Sequence, residues 1–130
     1  METLRKEVII ALNAPEPIGP YSAGIRVGNM IFTAGQLGID RQTGDLVPGG
    51  IEAETRQALT NLRNILETAS SSMNKVVKTT VFLRDMNDFP RMNGVYAQFF
   101  TDQPPARSTI QVAALPKGAA VEIEAIAIIE

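Results

Sequence analysis

Apolar residues recur along this chain with two periods, and the switches between them divide it into eight elements. Residues 7–12 form a short apolar run, 23–27 and 30–34 are two further runs joined at Gly28-Asn29, and 75–83 is rich in valine and threonine. Each has the length and composition of a strand, and Gly28-Asn29 predicts a hairpin turn. In between, Ile51, Ala58, Leu59, Leu62, Ile65, Leu66 and Ala69 fall at the i, i+3, i+4 spacing of an amphipathic helix over 51–69, ended by Ser70-Ser71-Ser72. A second helix follows the turn 85–88, with Asp88 as its expected cap. Its stripe of Phe89, Met92, Val95, Tyr96, Phe99 and Phe100 reads as core, and Asn93 lies beside that stripe.

The last quarter alternates most strictly. In Arg107-Ser108-Thr109-Ile110-Gln111-Val112-Ala113 a period of two puts Ser108, Ile110 and Val112 on one face and Arg107, Thr109, Gln111 and Ala113 on the other. After a Pro-Lys-Gly turn, Glu122 and Glu124 share a face with Ile126 and Ile128, while Val121, Ile123, Ala125, Ala127 and Ile129 face the opposite way. An arginine opens one strand and a carboxylate lies near the start of the next. Such a pair describes a solvated edge with a surface ion pair as well as it describes a site. Pro104-Pro105 fix the backbone ahead of Arg107, and a preset guanidinium suits bidentate capture of a small carboxylate.

Two connections carry further candidates. In residues 13–20 three prolines and a glycine forbid a ladder and prescribe a rigid loop, out of which Tyr21 leads into the second strand. Tyr21 there is either a lid on the core or a wall of a site, and its hydroxyl needs a partner in both cases. Gly35, directly after the third strand, marks a bulge or a close approach of backbone to a ligand. Residues 40–50 form a polar loop.

The resulting order is βββαβαββ: an α+β domain spanning 1–130, with six strands in a mixed sheet and two helices on one face. The other face is expected to carry Arg107, Thr109 and Gln111, and subunit association is the simplest way to cover it.

Composition narrows the chemistry. The chain has neither cysteine nor histidine, which removes thiolate nucleophiles, imidazole bases and the usual zinc ligands, so no metal site is expected. A net charge of −2 argues against a polyanion such as nucleic acid as partner. No apolar run approaches the length of a membrane span or a secretory signal, and a cytoplasmic protein without membrane association is expected. What remains suits binding a small anion and positioning water.

The motifs Pro105-Ala106-Arg107-Ser108-Thr109-Ile110, Leu115-Pro116 and Val121-Glu122-Ile123-Glu124 resemble the C-terminal signature of the RidA (YjgF) family. Ile18-Gly19-Pro20-Tyr21-Ser22, Thr33-Ala34-Gly35-Gln36, Val77-Lys78-Thr79-Thr80-Val81-Phe82 and Asp85-Met86-Asn87-Asp88-Phe89 extend the likeness across nearly the whole chain. The resemblance implies a chorismate-mutase-like fold, homotrimers with sites between subunits, and cofactor-free hydrolysis of 2-iminobutanoate and 2-iminopropanoate to 2-keto acids and ammonia. By motif position it implies Arg107, Glu122 and Tyr21 as catalytic residues. In that assignment Arg107 clamps the substrate carboxylate, Glu122 holds water, and Gly35, Thr109 and Asn93 line the binding site. Two positions depart from many relatives: Ala34 stands in place of serine and Thr109 in place of cysteine. Ribonuclease or translation-inhibitor activity, a non-catalytic or chaperone-like ligand module, and chorismate-mutase-like chemistry are the competing readings.

Overall fold

The computed structural model describes residues 3–129. Seven strands form one mixed sheet: β1 (Lys6–Ile9), β2 (Gly24–Val27), β3 (Met30–Thr33), β4 (Gln36–Leu37), β5 (Val76–Leu83), β6 (Ala106–Gln111) and β7 (Val121–Ile128), with helices α1 (Gly50–Thr68) and α2 (Phe89–Phe99). The strands run β1-β2-β3-β7-β5-β6, with β4 also paired to β7. The α+β architecture and element order expected from the sequence are therefore found, with one short strand added. At two residues, β4 is too short to show a period.

β1, β2 and β3 are an antiparallel meander, and the β2–β3 hairpin turns at Gly28, whose φ of 58° a side-chain-bearing residue adopts only with strain. β3 pairs β7 over Phe32↔Ile126, the backbone breaks step at Ala34-Gly35, and β4 resumes against the same strand at Leu37↔Glu122. β5 runs antiparallel to β7 and parallel to β6, so the β5-to-β6 connection must cross over; α2 is that crossover. Asp85, not Asp88, provides the capping interaction ahead of α2: its carboxylate accepts the Asn87 amide at 2.9 Å, whereas Asp88 pairs with Arg91 at 2.7 Å.

Burial along β7 alternates as the sequence does. Val121, Ile123, Ala125 and Ala127 are buried against α1, and Glu122, Glu124, Ile126 and Ile128 face the other way. Leu59, Leu62, Ile65 and Leu66 of α1, Met92 and Tyr96 of α2, and Phe100 directly after it join them in one core. Both helices thus lie on one side of the sheet.

The far end of the sheet is pinned by polar side chains of α1. Asn61, buried, donates from Nδ2 to the carbonyls of Leu37 at 3.1 Å and Ile39 at 3.0 Å, satisfying the edge of β4 that has no strand beside it. Glu54 accepts the Ala120 amide at 2.9 Å, just ahead of β7. Both contacts hold the segments on either side of Glu122.

The helix-free face is open and carries exposed apolar side chains among polar ones: Val8, Phe32, Ile110 and Ile128 are each 36% exposed or more. Arg107 and Thr109 are not on it, contrary to the sequence expectation. Register pairs Arg107 with Thr79, and Thr79 with Ala125, all on the helix side, while Ser108 pairs with Thr80 and Glu124 on the open side. Gln111 likewise leaves that face, accepting the Met86 amide at the turn before α2. No helix among the described residues is long and apolar enough to cross a membrane.

Candidate active site

The expected site residues fall into two groups. Tyr21, Gly35 and Glu122 line one cavity of about 260 Å³ together with Ile18, Ala34 and Pro116. Arg107, Thr109 and Asn93 lie elsewhere, where β6 meets α2. Within one chain the arginine and the glutamate point to opposite faces of the sheet, two strands apart, so the pair that outlines a site in the sequence does not meet in the fold.

The first group is built by the rigid loop and the break between β3 and β4. The loop is tied down by Arg41, whose Nε donates to the Leu12 carbonyl at 3.1 Å and whose guanidinium pairs with Glu16 at 3.3 Å. Tyr21 Oη accepts the Ile18 amide at 3.2 Å, which leaves its own proton free to donate into the cavity. Gly35 approaches neighbouring protein atoms as closely as its lack of a side chain allows: a Cβ there would lie 2.7 Å from the Glu122 carboxyl carbon. The close approach expected at this glycine is thus made to a side chain of β7. Burial lifts the Glu122 carboxyl above its ordinary range, and the neighbouring Glu124 charge adds to the effect. Ala34, the small residue in place of serine, lines the same cavity.

The second group centres on a guanidinium laid over two rings. Arg107 Cζ lies 4.7 Å from the Tyr96 ring centroid and 5.4 Å from that of Phe89, the range of cation–π attraction. Tyr96 is fixed in turn by a 2.7 Å hydrogen bond between its hydroxyl and Thr79 Oγ1. Burial raises the Tyr96 pKa, opposed by that hydrogen bond and by Arg107. Among the described residues Arg107 has no carboxylate partner. Beside it, Asn93 Oδ1 and Thr109 Oγ1 are shut off from solvent without a hydrogen-bond partner among the described residues. Unmet polar groups of this kind are rare in folded proteins and call for a ligand, a water or another chain.

The platform under Arg107 is what the sequence reading missed. Phe89 and Tyr96 read as plain core; their spacing with Asn93, i, i+4 and i+7 on one helix, is the signal that could have marked them as one functional stripe. Among the described residues no three or more acidic, histidine or cysteine side chains gather where they could hold a metal ion.

With this geometry in place, known proteins can be compared. The sequence model of the Endoribonuclease L-PSP family matches residues 11–129. The chain belongs to this family, the RidA (YjgF) family. A RutC family protein of Pyrococcus horikoshii is 55% identical over 122 residues, 94% of this chain and 97% of its own. The 2-iminobutanoate/2-iminopropanoate deaminase of Mus musculus is 50% identical over 128 residues, 98% of this chain and 95% of its own. Among solved structures, that of E. coli TdcF with bound serine superposes with a TM-score of 0.91 at 42% identity, covering 95% of this chain and 99% of TdcF.

Proposed function

We propose that the protein hydrolyses small 2-imino acids, 2-iminobutanoate and 2-iminopropanoate among them, to 2-keto acids and ammonia, at sites completed between subunits of a homotrimer. The observation that carries this reading is the Arg107 guanidinium, held on two rings, half-buried, and without a carboxylate partner among the described residues. A fork of N–H donors so placed fits a small carboxylate. The names of the mammalian relatives, at about half identity over nearly the full chain, support the substrate class.

Arg107 holds the substrate carboxylate, and Glu122 of the adjoining subunit accepts a hydrogen bond from water. The water oxygen adds to C2 of the protonated imine while Glu122 takes its proton, giving a carbinolamine. Glu122 returns that proton to nitrogen. As the C–N bond breaks and ammonia leaves, it takes the proton of the C2 hydroxyl, so that the neutral carbonyl of the keto acid remains and the net proton leaves with ammonia as ammonium. A carboxyl lifted above the ordinary range is better matched to this shuttle than an ordinary one. The Gly35 amide and Tyr21 hydroxyl supply donors at the same cavity, and their placement before substrate arrives is where the rate advantage arises.

The Endoribonuclease L-PSP description favours RNA cleavage as a second reading. A chain without histidine and with net charge −2 lacks both the usual acid–base pair and the electrostatic footprint for RNA. Ammonia release from freshly generated 2-iminobutanoate, with RNA cleavage assayed in parallel, separates the two. Turnover without RNA cleavage is expected; a ligand-binding protein without catalysis gives neither.

Assembly is tested by mass. The open face of Val8, Phe32, Ile110 and Ile128 and the separation of Arg107 from Glu122 both support a cyclic oligomer. Light scattering at micromolar concentration is expected to report three chains, and an active monomer would remove the shared site.

A further inference from the structure

Asn93 follows Phe89 by four residues and precedes Tyr96 by three, so it occupies the α2 stripe that carries the two rings under Arg107. Its Oδ1 is buried with no donor reaching it from the described residues. Beside a cation that already presents a fan of N–H groups, the oxygen is the end of the amide that electrostatics turns inward. This half of the site therefore offers two different things: donors for an anion at Arg107, and an acceptor that still lacks a hydrogen at Asn93. A ligand held there by its carboxylate is placed to bring that hydrogen itself.

We infer that Asn93 Oδ1 accepts a hydrogen bond from the N–H borne by C2 of the bound acid, and so selects the imine over the keto acid that hydrolysis leaves behind. The inference rests on the function proposed above and names what separates substrate from product at that site. A 2-imino acid carries hydrogen on the nitrogen at C2. The 2-keto acid presents an oxygen with lone pairs only, acceptor against acceptor, and leaves Asn93 Oδ1 buried and unmet. The product lacks this contact and departs more readily, while an arriving imine satisfies both Arg107 and Asn93.

The charge-matched pair 2-hydroxybutanoate and 2-oxobutanoate isolates this effect, since the two anions differ at C2 in having or lacking a hydrogen to donate. In calorimetric titration of the intact oligomer, the hydroxy acid is expected to bind about tenfold more tightly, the low end of what one unmet buried polar group costs. Asn93→Leu, which fills the space without an acceptor, should bring the ratio near one. Asn93→Asp retains an acceptor oxygen and should keep the preference for the hydroxy acid, although added negative charge weakens both ligands. Equal affinities in the unmodified protein, a preference that survives Asn93→Leu, or one lost in Asn93→Asp overturns the inference. Arg107→Met distinguishes its failure from that of the underlying reading. It should weaken both acids alike, and unchanged binding of both would remove Arg107 from the site and the inference with it.

Discussion

Arg107→Lys is expected to lose imine hydrolysis roughly ten- to hundredfold in kcat/KM while the protein stays folded and assembled. Lysine keeps the charge and most of the length. It cannot present two parallel donors to a carboxylate, nor lie flat on the Tyr96 and Phe89 rings that hold the guanidinium at 4.7 and 5.4 Å from their centroids. Loss of the charged two-point contact costs about 1.5 to 3 kcal/mol on the scale of hydrogen bonds to charged groups. Steady-state kinetics with 2-iminobutanoate generated in the assay, beside a mass measurement, decides the point; near-full activity in the assembled variant would end the assignment.

Glu122→Gln is expected to have a larger effect, confined to turnover. The amide keeps the shape of the carboxylate and fits beside Gly35, where there is no room for a Cβ. It cannot take a proton from water, so kcat should fall on the order of a hundredfold or more, while 2-oxobutanoate binds as well as before or slightly better. Parallel loss of binding and turnover, or no loss of turnover, would rule out the water-positioning role. The pH dependence adds a second reading of the same group. On the proposed role, in which Glu122 takes a proton from water, it must be ionised; both burial and Glu124 raise its pKa, so the acid limb of kcat should lie above the ordinary carboxylate range. Glu124→Gln removes the smaller of the two causes. It should leave the plateau within about threefold and move the acid limb to lower pH.

The two strictest alternations in the sequence met different fates. β7 was legible throughout, because its two sets, valine–isoleucine–alanine against glutamate–isoleucine, differ enough in polarity to name the core side. In β6 the two faces separated correctly but their sides did not. Ile110 looks like the buried partner and is 46% exposed on the open face, while Arg107 turns toward the helices, its charge carried on two rings. Periodicity says which residues share a face; which face a helix covers is fixed by register and crossover, long-range facts that a strand of six residues does not contain. Tyr21, Gly35 and Glu122 were legible as separate candidates, yet their meeting depends on β4, whose two residues hold Leu37 against Glu122 with Asn61 of α1 on the outer edge. Nothing local marks that junction.

The placement of Arg107 and Glu122 on opposite faces of one sheet also has a genetic meaning. On the inter-subunit reading each chain lends its arginine to one site and its glutamate to another, so a defect in either is not a defect of the whole ring. Two alleles that each cripple turnover, Arg107→Lys and Glu122→Gln, then complement one another when co-expressed. Random mixing in a closed ring of subunits leaves roughly a quarter of the sites with both original groups. Homogeneous assemblies of either chain, blended after folding, keep only their own low rates for as long as their subunits do not exchange.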